Sequence, residues 1–286
     1  VGYIQHEKRF SQHTVRSYSN DLFQFTGFLE KEFAGTLPSE ASYRHIRAWV
    51  VSLMEDGLEA RSVNRKLSSL KTFYRYLLRE RIIEKNPTEK VIPPKNKKRL
   101  PVFVEEEQMD VLFDEVSFGE GYPGIRNRMM VGLFYASGIR LSELISLKVA
   151  DIGFSDMTFR VLGKRNKERI LPFGPSIKEE LHYYIKVRES LGSPEQYLFL
   201  TNKGQKLYPK LVYRVVKKFI GMVSTIEKKS PHVLRHTIAT HLLNHGADLN
   251  AIKELLGHAN LAATQVYTHN SFEKLKSVYQ KAHPRA

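Results

Sequence analysis

The chain has 286 residues, with 45 Lys and Arg against 30 Asp and Glu, a formal charge of +15 and no cysteine. That length suits two domains of ordinary size, and the charge points to a polyanionic partner, nucleic acid first. Disulfides and thiolate metal sites are excluded, and the uncharged apolar run Met129–Ile139 falls far short of the roughly 20 apolar residues that span a bilayer.

The first ten residues carry no apolar stretch of the secretory kind, so the sequence reads as an intracellular protein with no membrane segment. From Ser11 to about Ile83 apolar residues recur at helical spacing, as in Tyr18, Leu22, Phe25, Phe28 and Leu29, then Ile46, Val50 and Leu53. The pattern predicts an all-helical unit. Ser11 and Ser39 stand where N-caps belong, the second followed by Glu40. Gly57 marks a stop, a third helix is expected from Arg61 to about Arg79, and Asn86-Pro87 closes a unit bounded at residues 1–92.

Residues 93–101 hold Pro93, Pro94 and Pro101 around a basic run. This is linker chemistry, either a solvated strand of chain or a hinge that tracks phosphates. The second unit, 102–286, opens with helices expected near Glu105–Val116 and Gly124–Ser137. Two short alternating runs follow, Thr158–Leu162 and Arg169–Pro172, a hairpin with the basic tip Gly163–Lys167. Helices are then expected at Ile177–Leu191, Leu211–Val223, His232–Asn244, Leu249–Leu255 and Phe272–Ala282, with Gly246 and Gly257 as C-caps. The fold class that results is mainly α with a small β-hairpin.

His232 and Arg235 share one face of a helix whose start is marked by Ser230 and Pro231. Free N–H groups, the positive dipole end and a bidentate guanidinium suit a phosphate there, although a helix-start histidine also serves as a cap or a packed ring. Arg140 lies just past Gly138 at the end of an apolar helix. Its guanidinium needs a partner: Glu143 in a plain ion pair, or a phosphate with Glu143 fixing the inner edge. Lys164, at the hairpin turn, either reaches a DNA backbone or is merely solvated.

Tyr267 is one of 14 tyrosines and follows His258 in a short polar-flanked segment. A phenol of pKa about 10 needs a base or strong positive surroundings to act as a nucleophile. The two histidines and two arginines named would supply both. His241 and His245 have the spacing of a metal clamp, but no Glu lies between them and Asp248 is the only nearby third ligand. Both are expected to pack beside Ile238 and Leu242, with no metal bound.

Together, Ala136–Leu144, Gly163–Arg169, Ser230–His236, His241–Leu249, Leu255–His258, Gln265–His269 and His283–Ala286 resemble the tyrosine recombinase (phage integrase) family, in particular the bacterial Xer recombinases. Arg61–Leu77 is similar to that family's core-binding domain. The resemblance implies an N-terminal helical, SAM-like core-binding domain and an α-rich catalytic domain with a small β-sheet, forming a C-shaped clamp on DNA. It implies six active-site positions, Arg140, Lys164, His232, Arg235, His258 and Tyr267, with Glu143 in support. Arg65, Lys66 and Lys71 are the expected DNA contacts of the first domain.

The implied reaction is in-line attack by Tyr267 on a scissile phosphate, leaving a 3′-phosphotyrosyl link and a free 5′-hydroxyl, with no metal, ATP or other cofactor. Lys164 would protonate the leaving oxygen and His232 would help to accept the phenol proton. The implied partners are a double-stranded recombination site, a tetramer of this chain or with a related recombinase, and a DNA translocase, all in the cytoplasm of a bacterium or archaeon at the nucleoid. Phe272, Leu275 and Val278 suit a groove on another protomer or on their own domain. Chromosome-dimer resolution is favoured over integration of a mobile element by the compact length and the His-Pro-Arg-Ala end. The alternative from another class is a DNA-binding protein that performs no strand exchange.

Overall fold

A computed structural model of the chain describes residues 2–8, 10–96, 102–163, 168–257, 279 and 281–285. It divides into two compact units, Val1–Arg99 and Leu100–Ala286. The division falls inside the proline-rich basic stretch.

The first unit packs α1 (Gln12–Glu32), α2 (Tyr43–Glu55) and α3 (Ala60–Arg79) around Phe25, Leu29, Ile46, Trp49, Leu67 and Leu70. Ser11 caps α1 by accepting from the Thr14 N–H. The second helix starts later than expected, at Ser42, whose N–H donates to His45 Nδ1 at 3.1 Å. Glu40 turns back to accept from the Leu37 N–H, so the Ser39 region closes a turn instead of opening a helix.

Asp21, buried on α1, ties α1 to α3. Its carboxylate accepts from Arg65 Nη1 and Nη2 at 2.5 and 2.7 Å, from Ser69 Oγ at 2.6 Å and from Lys66 Nζ at 3.2 Å. Burial works to raise its pKa, but the hydrogen bonds from Arg65, Ser69 and Lys66 prevail and hold it below the usual range. Lys66 also donates to Gln24 Oε1 and is 7% exposed. Lys66 is therefore an interior cross-tie, which corrects its expected place on DNA. Arg65 is exposed but has committed its fork to Asp21, while Lys71 is half-buried on α3.

In the second unit, α5 (Gly121–Ser137) runs through the core, and every residue from Met129 to Ser137 is buried. A helix apolar on all sides must be covered on all sides. Its covers include α7 (Pro175–Glu189) and α9 (Pro231–Asn244), while α4 (Glu106–Asp114) packs on α8 (Pro209–Val223). The expected hairpin is present as β2 (Thr158–Leu162) and β3 (Glu168–Pro172), joined by a short β1 (Ile152–Gly153) in an antiparallel sheet of order β1-β2-β3. Register pairs Phe159 with Leu171 and Val161 with Arg169, all four buried on the core face.

Two shorter helices complete the site's frame, α6 (Leu141–Ser146) and α10 (Leu249–Leu256). At the chain's end Tyr279, Ala282 and His283 are buried in the second unit, and Arg285 pairs with Asp110 at 2.9 Å and Asp114 at 2.6 Å on α4. This stretch docks on its own domain. Phe272, Leu275 and Val278 lie outside the described residues. No helix among the described residues is long and apolar enough to cross a membrane.

Candidate active site

Gly138 ends α5 in the left-handed region at φ 58°, and a Cβ there would lie 2.8 Å from Leu256 Cδ2. Only glycine turns the chain so sharply against α10. The turn makes Arg140 the N-cap of α6. Its backbone N–H donates to Glu143 Oε2 at 2.8 Å, and its Nη1 donates to Glu143 Oε1 at 2.8 Å.

The same carboxylate takes a second guanidinium. Arg169, on β3, donates through Nη2 to Oε2 at 2.6 Å and through Nε to Oε1 at 3.3 Å. Burial would raise the pKa of Glu143, yet the hydrogen bonds and charge of Arg169, aided by Arg140, hold it below the carboxylate range. Both readings of Arg140 therefore remain compatible: its inner edge is fixed by Glu143, and its side chain is still 30% exposed.

A third guanidinium arrives from α9, and the three meet on the end of α10. That helix starts at Asp248, which accepts from the Asn250 and Ala251 N–H groups, and ends at Gly257 at φ 59°. Its last carbonyls have no helical donors. Arg169 donates to the Leu255 carbonyl, Arg140 Nη2 to those of Leu256 at 3.0 Å and Gly257 at 2.5 Å, and Arg235 to that of Leu256. Arg235 also donates to the Gly138 carbonyl.

Three guanidiniums against one carboxylate leave excess positive charge, offset only in part by the negative end of the helix dipole. The consequence is visible at Arg235, whose pKa is pushed down to about 9 by burial and then by the charges of Arg169 and Arg140. An anion at this cluster would relieve that cost. His232 stands exposed in the first turn of α9, on the same helix as Arg235.

The structure thus brings Arg140, Arg235 and Glu143 together, with His232 one turn before Arg235 on α9. Lys164, His258 and Tyr267 lie outside the described residues. Of the two histidines at metal-clamp spacing, His241 is buried and lies 3.0 Å from the Val104 carbonyl through Nε2 and 2.9 Å from the Tyr135 hydroxyl through Nδ1. A carbonyl can only accept, so Nε2 carries the proton and Nδ1 accepts from Tyr135. His245 instead faces out to Glu106 at 2.9 Å, so the expectation of two inward-packed rings is corrected for His245. No metal-holding cluster is present among the described residues.

Two features escaped the sequence reading. Arg169 looked like one more residue of an alternating strand. On α8, Lys210, Arg214, Lys217 and Lys218 are all exposed and the helix holds no acidic residue, while Val212, Val215, Val216, Phe219 and Ile220 face the core. Its cationic stripe was legible as four basic residues at near-helical spacing.

The profile of the phage integrase family matches residues 103–274, and that of the phage integrase N-terminal SAM-like domain matches residues 1–81. The chain belongs to the phage integrase family. It is 40% identical to the tyrosine recombinase XerC of Anoxybacillus flavithermus across 100% of this chain and 96% of that protein. Two of the solved structures that share the fold are bound to DNA. The integrase of transposon Tn1549, in complex with circular intermediate DNA, is 20% identical over 95% of each chain with a TM-score of 0.72. The XerH recombinase, bound to a palindromic difH substrate in a post-cleavage complex, is 23% identical over 92% of this chain and 78% of that one, with a TM-score of 0.72.

Proposed function

We propose that this enzyme, which as a tyrosine recombinase cuts and rejoins DNA at specific sites, grips the scissile phosphate between Arg140 and Arg235 and attacks it with Tyr267. The observation that carries the reading is the meeting of those two guanidiniums on the Leu256 carbonyl, with Glu143 fixing one and excess positive charge at the cluster. In the first step the Tyr267 oxygen bonds to phosphorus, the bond to the 5′-oxygen breaks, His232 helps to take the phenol proton and Lys164 supplies a proton to the leaving oxygen. Arg140, Arg235 and His258 stabilise the pentacoordinate phosphorane, each such donor contributing about 3 kcal/mol. The hydroxyl of a partner strand reverses the step.

The exposed cations of α8, with Lys71 on α3, serve as contacts to the DNA backbone. We assign the chain to chromosome-dimer resolution, acting as a tetramer of itself or with a related recombinase on two DNA sites, at the nucleoid and under a DNA translocase. Full-length likeness to a XerC recombinase supports this assignment.

The test is a nicked suicide duplex carrying a dimer-resolution site from the source chromosome. A denaturant-resistant protein–DNA adduct should form with a chelator present. It should vanish in Tyr267→Phe and fall about 100-fold or more in Arg140→Ala and Arg235→Ala. Cleavage that stops in the chelator and leaves no adduct would mark a metal-dependent nuclease and end the reading.

A further inference from the structure

Arg169 has no part in the mechanism above, yet it is 5% exposed and carries a full charge on the core face of a strand. Such a charge persists only where its partners are well placed. Arg169 has three: Glu143 Oε1, Glu143 Oε2 and the Leu255 carbonyl. Arg140 reaches the same carboxylate and the same helix end from the other side, with a side chain 30% exposed. Arg169 is thus enclosed behind the residues that can meet a phosphate.

We infer that Arg169 is a positioning residue for the phosphate grip: it locks the Glu143 carboxylate against Arg140 and holds the end of α10 where Arg235 also binds, so that two guanidiniums are preset for one anion. The inference rests on the recombinase reading above. A planar fork presents fixed donors to both carboxylate oxygens and to a helix carbonyl at once, whereas a lysine is a point charge without that preset geometry. With each Glu143 oxygen bridged between two donors, the carboxylate cannot swing toward one arginine and release the other.

Gly257 supports the same arrangement. A Cβ there would lie 3.1 Å from Arg169 Cδ, 3.4 Å from its Nε and 3.5 Å from Arg140 Nη1. The absence of a side chain lets the helix end come down on both arginines. Arg169 also anchors β3 opposite Val161, so one residue joins the strand, the α6 cap and the end of α10.

The test compares wild type, Arg169→Met and Arg169→Lys in single-turnover cleavage of the suicide duplex, with either an ordinary phosphate or a neutral methylphosphonate at the scissile position. On the phosphate, Arg169→Met should cleave about 100-fold more slowly, with duplex affinity within about threefold of wild type. Arg169→Lys should fall between them. On the methylphosphonate, which offers less charge to grip, the deficit should shrink to about tenfold or less. Wild-type rates in a folded variant would overturn the inference. An equal loss on both substrates, or failure of both variants to fold, would overturn it too by making Arg169 merely structural. Absence of an adduct from the wild-type enzyme would instead remove the recombinase reading, and is seen before any variant is compared.

Discussion

Replacing Glu143 by Gln keeps the side chain's shape and removes its charge. Glu143 is 4% exposed, and its two oxygens accept four hydrogen bonds from Arg140 and Arg169 at 2.6 to 3.3 Å. Glutamine offers one accepting oxygen and turns an NH2 group toward a guanidinium. Breaking a buried pair by removing one partner costs about 3–5 kcal/mol. The Arg140 side chain, 30% exposed, can recover water, whereas that of Arg169, 5% exposed, cannot, which favours the lower end, about 3 kcal/mol. For a unit of this size that lowers Tm by about 6–12 °C.

Calorimetry of the second unit's transition, repeated in acid, checks both the size and the origin of this effect. The folded pKa of Glu143 lies below its unfolded value, burial being outweighed by Arg169 and Arg140. Its ionic contribution is therefore complete above the unfolded pKa of about 4.3 and is lost as pH falls through the folded value. The gap between wild type and Glu143→Gln should be constant from pH 7 to about 5 and then close in more acid solution. A change under about 2 °C at neutral pH, or a gap indifferent to acid, would show that the Glu143 charge does not hold the two arginines.

Gly138→Ala should cost about 2 kcal/mol, since the backbone is left-handed and the new methyl meets Leu256 Cδ2 and Ile238 Cγ2. Because the Gly138 carbonyl binds Arg235, cleavage should fall further than a melt would account for. Inorganic phosphate should raise the Tm of wild type but not of Arg235→Met. Arg235 has a folded pKa near 9, below its unfolded value, so the charge that draws the anion is present below that pH and the stabilisation should fade as pH rises through it. Lys217→Ala with Lys218→Ala should reduce the salt slope of DNA binding by about two, measured as log affinity against log salt. Lys66→Met should leave that slope unchanged and lower the first unit's stability by about 1–3 kcal/mol in denaturant melts.

What could be read in the sequence was local, and what could not was long-range. The periodicity of α1, the cap at Ser11 and the glycines ending α5 and α10 act within a turn or two of themselves, and they stand where the pattern places them. Ser39 and Ser42 are both competent caps, and the choice was decided by where Glu40 turned. Lys66 sits in a basic run that reads like a DNA contact, but its partner Asp21 is 45 residues upstream. Arg169 finds Glu143 at 26 residues and the Leu255 carbonyl at 86, so nothing in its own strand marks it. His245 caps the end of the helix that holds His241, yet only the latter meets Tyr135. Of the proposed grip, a glycine turn marks Arg140 and a helix start marks Arg235, each also open to a plain structural reading, and it was the family resemblance that named them together; their meeting on the end of α10 was not legible.

Whether Tyr267 is the nucleophile is decided by mass spectrometry of the peptide that carries DNA after proteolysis of the trapped adduct. A 3′-phosphate joined to Tyr267 is expected, with Arg140→Ala and Arg235→Ala each depleting that one species. A nucleotide joined to a different side chain, or a cleaved duplex with no peptide attached, would contradict it.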